Sequence, residues 1–184
     1  MNAQDFAAKV EPGDAICVDT LNRNPLEVAI DDFEGAKVNH VICPIGNGLI
    51  VEALGRGVEV HRLDKYLKPG FKLYLRSPKA TLDRDEMVRH LIELIDTPYG
   101  FLDLLLDAIY LTAQRLGLRK VQNLITRLAV KVKGQIDCSG TYALAYSKTH
   151  GHWIVSKPPE ITTPADILNS DSMFTVATYG REKW

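Results

Sequence analysis

The chain has 184 residues, and its 22 Lys and Arg nearly cancel its 23 Asp and Glu, leaving a formal charge of −1. That balance excludes a general electrostatic pull toward nucleic acid, and the length suffices for one domain whose core needs no disulfide or metal staple. The three cysteines, Cys17, Cys43 and Cys138, lack the close spacing of zinc sites or disulfide frameworks, so reduced thiols and no metal or other cofactor are expected.

The amino terminus, Met1-Asn2-Ala3-Gln4-Asp5, has no basic patch followed by an apolar stretch, which points to a cytoplasmic chain without a secretory signal. Pro12-Gly13-Asp14 reads as a turn into a first strand, Ala15 to Val18, and Asn22-Arg23-Asn24-Pro25 as a loop. Val38 to Cys43, Leu49 to Leu54, Val58 to Leu63 and Phe71 to Leu75 are short runs of β-formers separated by Gly, Pro and Asn, the pattern of a meander. Gly46-Asn47-Gly48 and Gly55-Arg56-Gly57 sit between strands and read as hairpin turns, not phosphate-cradling loops. Cys17 and Cys43 lie inside the apolar strands and suit inert core thiols.

Helical patterning follows. Thr81 or Asp83 can cap a helix running to about Ile95, and Thr97-Pro98 breaks it. Phe101 to Leu118 is interrupted by Asp103, Asp107, Gln114 and Arg115, so it fails as a membrane span and reads as an amphipathic helix with Asp103, Asp107, Tyr110 and Gln114 on one face. From Arg115 through Arg119, Lys120, Arg127, Lys131 and Lys133 there is no acidic residue; a solvated face is the simplest reading, and peripheral contact with an anionic membrane is the alternative. Thr163-Pro164-Ala165-Asp166 signals a further helix start, and Phe174 to Thr178 a last strand. Strands first and helices second make an α+β protein, a small antiparallel sheet packed against helices.

Between these elements stands Asp137-Cys138-Ser139-Gly140, opening an apolar helical stretch. A thiol at the first turn of a helix meets unpaired backbone N–H groups and the positive end of the helix dipole, which favour its anion. A free cysteine titrates near ~8.5, and such a setting with a histidine nearby brings the thiolate into the neutral range. Thiolate chemistry needs a base and a group to orient it. Among the five histidines, His90, His150 and His152 are expected at the surface, and His61 on a wet strand face. His40 opens the apolar run Val41-Ile42-Cys43, and Glu52 on the next strand wants a partner if buried. A two-residue Asn47-Gly48 turn between these strands would put the two side chains on opposite faces. A three-residue loop, Ile45-Gly46-Asn47, would pair them, and it is the expectation adopted.

Gly13-Asp14 before a first strand, Asn39-His40-Val41, a glutamate on the next strand, Asp137-Cys138-Ser139 opening a helix, and the stretch Ile161-Thr162-Thr163-Pro164-Ala165-Asp166-Ile167-Leu168 together resemble the circularly permuted NlpC-type papain-like cysteine peptidases, in particular their YiiX-like branch. The likeness spans nearly the whole chain as a single permuted papain-like domain, with 101–133 as a helical, locally basic insertion. It implies Cys138 as nucleophile, His40 as base and Glu52 as orienting group, and an acyl-enzyme route that cuts an amide bond in a cell-wall peptide or N-acyl substrate. Ser139 and Tyr99 are candidates for the oxyanion site or cleft wall. Two alternatives stay open: a lipid-directed acyltransferase or thioesterase with the same three residues, and a non-catalytic binding module.

Overall fold

β1 (Ala15–Thr20) has Ala15 to Val18 without any exposed surface, and a strand that is apolar on both faces belongs in the middle of a sheet covered on both sides. In the computed structural model, which describes residues 1–20, 38–81, 83–99, 109–110, 112–114, 116–129 and 136–180, β1 lies inside a six-stranded antiparallel sheet. The other strands are β2 (His40–Gly46), β3 (Leu49–Leu54), β4 (Gly57–Arg62), β5 (Phe71–Pro78) and β6 (Met173–Tyr179), in the order β4-β3-β2-β1-β5-β6. The expected meander of β2 to β5 therefore holds only from β2 to β4. β5 returns to the free side of β1, with Cys17 opposite Tyr74, because β1 has a second edge of backbone donors and acceptors to satisfy.

Alternation along the strands divides the core in two. Ala15, Cys17, Val41, Cys43, Val51 and Ala53 face one side, where Met87, Leu91, Tyr142 and Tyr146 cover them. Ile16, Val18, Ile42, Ile50, Leu73 and Leu75 face the other, against Phe6, Leu63 and Tyr66. Phe6 comes from a short helix absent from the sequence reading, α1 (Ala3–Ala7), capped by the Asn2 side chain on the Asp5 amide.

The expected capped helix is α2 (Arg84–Glu93), with Asp83 as N-cap. α3 (Arg119–Ala129) falls in the basic stretch, and its Ile125 packs on Ile161. The expected face of Asp103 and Asp107, most of the 101–118 segment and the loop at 22–25 lie outside the described residues. α4 (Cys138–His150) packs against α2, β2 and β3, and nearly every residue from Cys138 to Tyr146 is buried, as suits a helix apolar all round. α5 (Pro164–Asn169) starts where the sequence signalled, with Thr163 and Asp166 closing a reciprocal capping box.

Candidate active site

The hairpin that carries His40 and Glu52 corrects the expected loop. Its turn is the two-residue Asn47-Gly48, closing on Gly46↔Leu49, with φ of 53° and 70° at the two turn residues. Both lie in the left-handed region that an Asn-Gly hairpin turn demands. By itself that turn would separate His40 from Glu52, but the register shifts between Pro44 and Gly46, leaving Ile45 as an extra residue. Past the bulge, Cys43 faces Val51, so continuing the register by one residue sets Glu52 opposite Ile42 and His40 diagonal to it on the same face. The diagonal is short enough: His40 Nε2 lies 2.7 Å from Glu52 Oε2.

Glu52 has no exposed surface, and four side chains converge on it. Besides His40, Lys65 Nζ donates to Oε1 at 2.7 Å and the Tyr66 hydroxyl donates to Oε2. His61 Nδ1 stands 2.9 Å from Oε1, at ion-pair distance but off line for a hydrogen bond, with its Nε2 3.4 Å from Glu59 Oε2. Burial alone would push the Glu52 carboxyl up; hydrogen bonds and charge from His40, then Lys65 and Tyr66, outweigh it and hold the group at about 2.

Cys138 arrives from the other part of the chain. Asp137 is the N-cap of α4, its carboxylate accepting from the Gly140 amide and its carbonyl from Thr141, which fixes the first turn. A side chain on Gly140 would not fit, since a Cβ there would stand 2.8 Å from Asp137 Oδ1 and 3.2 Å from the Pro159 carbonyl. The cap delivers the sulfur beside His40, near enough for the two side chains to influence each other's charge. With His40 Nε2 committed to Glu52, Nδ1 is the ring nitrogen left for a second partner. Desolvation lowers the basicity of the His40 imidazole, but Cys138 and then Glu52 more than compensate and raise it to about 9. The pair is not sealed: Cys138 is 7% exposed and the His40 side chain 15%.

The three residues named from sequence are thus in one contact chain, sulfur to imidazole to carboxylate. Ser139 is buried with its hydroxyl 3.4 Å from Asp137 Oδ1, so its side chain serves the cap. Tyr99 forms a parallel bridge with Ile136, beside the segment that delivers Cys138. The other thiols are spectators in the core, burial pushing Cys17 up to about 12 and raising Cys43 as well. His90 departs from its expected surface position: it is buried on α2, Nδ1 3.0 Å from Glu93 Oε2. His61 touches the acid instead of facing only water. Lys65 and Tyr66 were not singled out in the sequence, because the short 3-10 turn Leu63–Lys65 that swings them back over β3 has no periodicity to reveal it. Among the described residues, no group of three or more His, Cys, Asp or Glu side chains is arranged to hold a metal ion.

No family model matches the chain, and no curated protein does. Among solved structures, the crystal structure of metalloprotein yiiX from Escherichia coli O157:H7, DUF1105, superposes with a TM-score of 0.62 at 14% identity, covering 93% of this chain and 98% of that one. The chain shares the fold of yiiX. The match covers nearly the whole of both chains, so the α+β arrangement is that of a known fold.

Proposed function

We propose that this chain is a cysteine-dependent hydrolase acting on amide bonds, with Cys138 as nucleophile, His40 as proton carrier and Glu52 as the group that orients the imidazole. The observation that carries the proposal is the unbroken contact chain Cys138–His40–Glu52 at a capped helix start. The Cys138 thiolate attacks the substrate carbonyl, forming the C–S bond and a tetrahedral oxyanion. The His40 imidazolium gives its proton to the departing amine as the C–N bond breaks. Water, deprotonated by neutral His40, then attacks the thioester and frees the acid and the thiol. Asp137 occupies the amides of Gly140 and Thr141, so the oxyanion falls to the amides of Cys138 and Ser139, a contribution on the order of 3 kcal/mol in comparable sites.

A cell-wall peptide or an N-acyl chain is the substrate class this reading favours, through the resemblance to the permuted NlpC-type peptidases. The protein yiiX is described as a metalloprotein, but the polar cluster here does not suit a cation. Glu52 is the acid at its centre, and a lysine ammonium already sits 2.7 Å from one of its oxygens while His40 and Tyr66 take the other. No step of the proposed reaction is routed through a metal.

A thiol-reactive acyl probe tests the reading. Parent protein takes one label at Cys138, Cys138→Ala takes none, and Cys17 and Cys43 stay silent in both. Equal labelling of parent and variant overturns the nucleophile assignment.

A further inference from the structure

Glu52 is held by more than the imidazole it would orient. The geometry points to Lys65 and Tyr66 as a positioning pair, two adjacent residues that each claim one oxygen of Glu52 and thereby fix the plane in which it meets His40. The inference rests on the proposed hydrolase reading.

Lys65 donates to Oε1 at 2.7 Å and Tyr66 to Oε2, the oxygen that also accepts from His40 Nε2. A carboxylate held by one imidazole can swing about its last torsion. Gripped at both oxygens by donors of fixed origin it cannot, and a buried carboxylate satisfied on both sides has no reason to leave. The donors are themselves anchored. The Leu63 amide bonds to the Gly48 carbonyl at 2.9 Å, tying the 3-10 turn to the β2–β3 hairpin, and the Tyr66 amide bonds to Leu63 at 3.0 Å. The Tyr66 ring packs edge-on to Phe71 at 5.1 Å, tilted toward His40 at 6.1 Å, and carries the Lys65 ammonium 5.0 Å from its centre.

Charge makes the same case. A thiolate, an imidazolium and a carboxylate sum to one uncompensated negative charge in a largely buried site. Lys65 brings the sum to zero, which a low-dielectric site favours. On this side His61 stands at Oε1, with Glu59 beyond it at the far ring nitrogen of His61, and the oxygen shared by His40 and Tyr66 is on the other side of the carboxylate.

The test uses the whole chain with Lys65→Met, Lys65→Arg and Tyr66→Phe, read by the nuclear magnetic resonance signal of the His40 Nε2 proton and by the rate of probe acylation. In the parent, the carboxylate-bound proton gives a downfield, slowly exchanging signal. Lys65→Met and Tyr66→Phe are expected to broaden or lose it and to slow acylation about tenfold at saturating probe, with the concentration for half-saturation unchanged. Lys65→Arg restores both. An undisturbed signal and parental rates in both disruptive variants, folded by circular dichroism, overturn the positioning role. Failure of Cys138 to take the probe in the parent strikes the hydrolase reading instead, and the proton signal still decides the role of the pair.

Discussion

His40 sits between Cys138 and the Glu52 carboxylate, and its titration sets the pH range of the proposed reaction. Its pKa is raised from the ordinary 6.5 to about 9, so the imidazolium needed by the leaving group persists through neutrality and is lost as pH rises through about 9. The rate of acylation is therefore expected to fall on the alkaline side near pH 9, measured with the probe across a buffered series. Glu52→Gln removes the carboxylate charge beside His40 and moves that limb toward lower pH; a limb that stays in place would deny Glu52 its electrostatic share. His40→Ala is expected to slow acylation by about 10²- to 10⁴-fold.

The helix start and the bulged hairpin are the two elements on which this contact depends. Asp137→Ala deletes the cap that accepts from Gly140 and is expected to cost about 1 kcal/mol in urea denaturation while loosening the turn that presents the sulfur. Gly140→Ala forces a Cβ against Asp137 Oδ1 and the Pro159 carbonyl, and destabilises by about 1–3 kcal/mol with a parallel loss of labelling at Cys138. The helix start was legible because a cap followed by an apolar run is a local signal: Asp137, Asp83 and Thr163 all cap where the residue types place them. The hairpin was legible only in part. Burial of Glu52 demanded His40 on its own face, and the structure obeys, but by an Asn47-Gly48 turn combined with one extra residue at Ile45. Turn chemistry and facial parity each spoke for a different loop, and the bulge that reconciles them has no signature in residue type. Lys65 and Tyr66 are illegible in the sequence for the same reason, since their contacts with Glu52 depend on a single turn folding back across β3.

At the scale of the molecule, the long-range choice was the return of β5 to β1, which joins strands with β2, β3 and β4 between them in sequence and leaves no local trace. The alternation that fixes which residues face the helices was readable; the neighbour each strand chose was not. The acid at the centre of the site also contributes to the stability of the whole. Glu52 is depressed from 4.5 to about 2, so its share is complete above pH 4.5 and disappears as pH falls toward 2, on the order of 3 kcal/mol counted once for the coupled cluster. His40 acts with opposite sign, its share complete below 6.5 and lost through about 9. A plot of melting temperature against pH should accordingly drop at both extremes, and Glu52→Gln should flatten the acid side.

Because the sulfur reaches its imidazole across nearly a hundred residues of chain, from the α4 cap to the first residue of β2, the two cannot find one another until sheet and helix have docked. A growing or unfolded polypeptide therefore carries Cys138 as an unremarkable thiol, harmless to its surroundings. Under the proposed reading the activity at that sulfur exists only in the finished tertiary structure, so acylation by the substrate-like probe, unlike alkylation of any accessible thiol, gauges how much of a sample has matured.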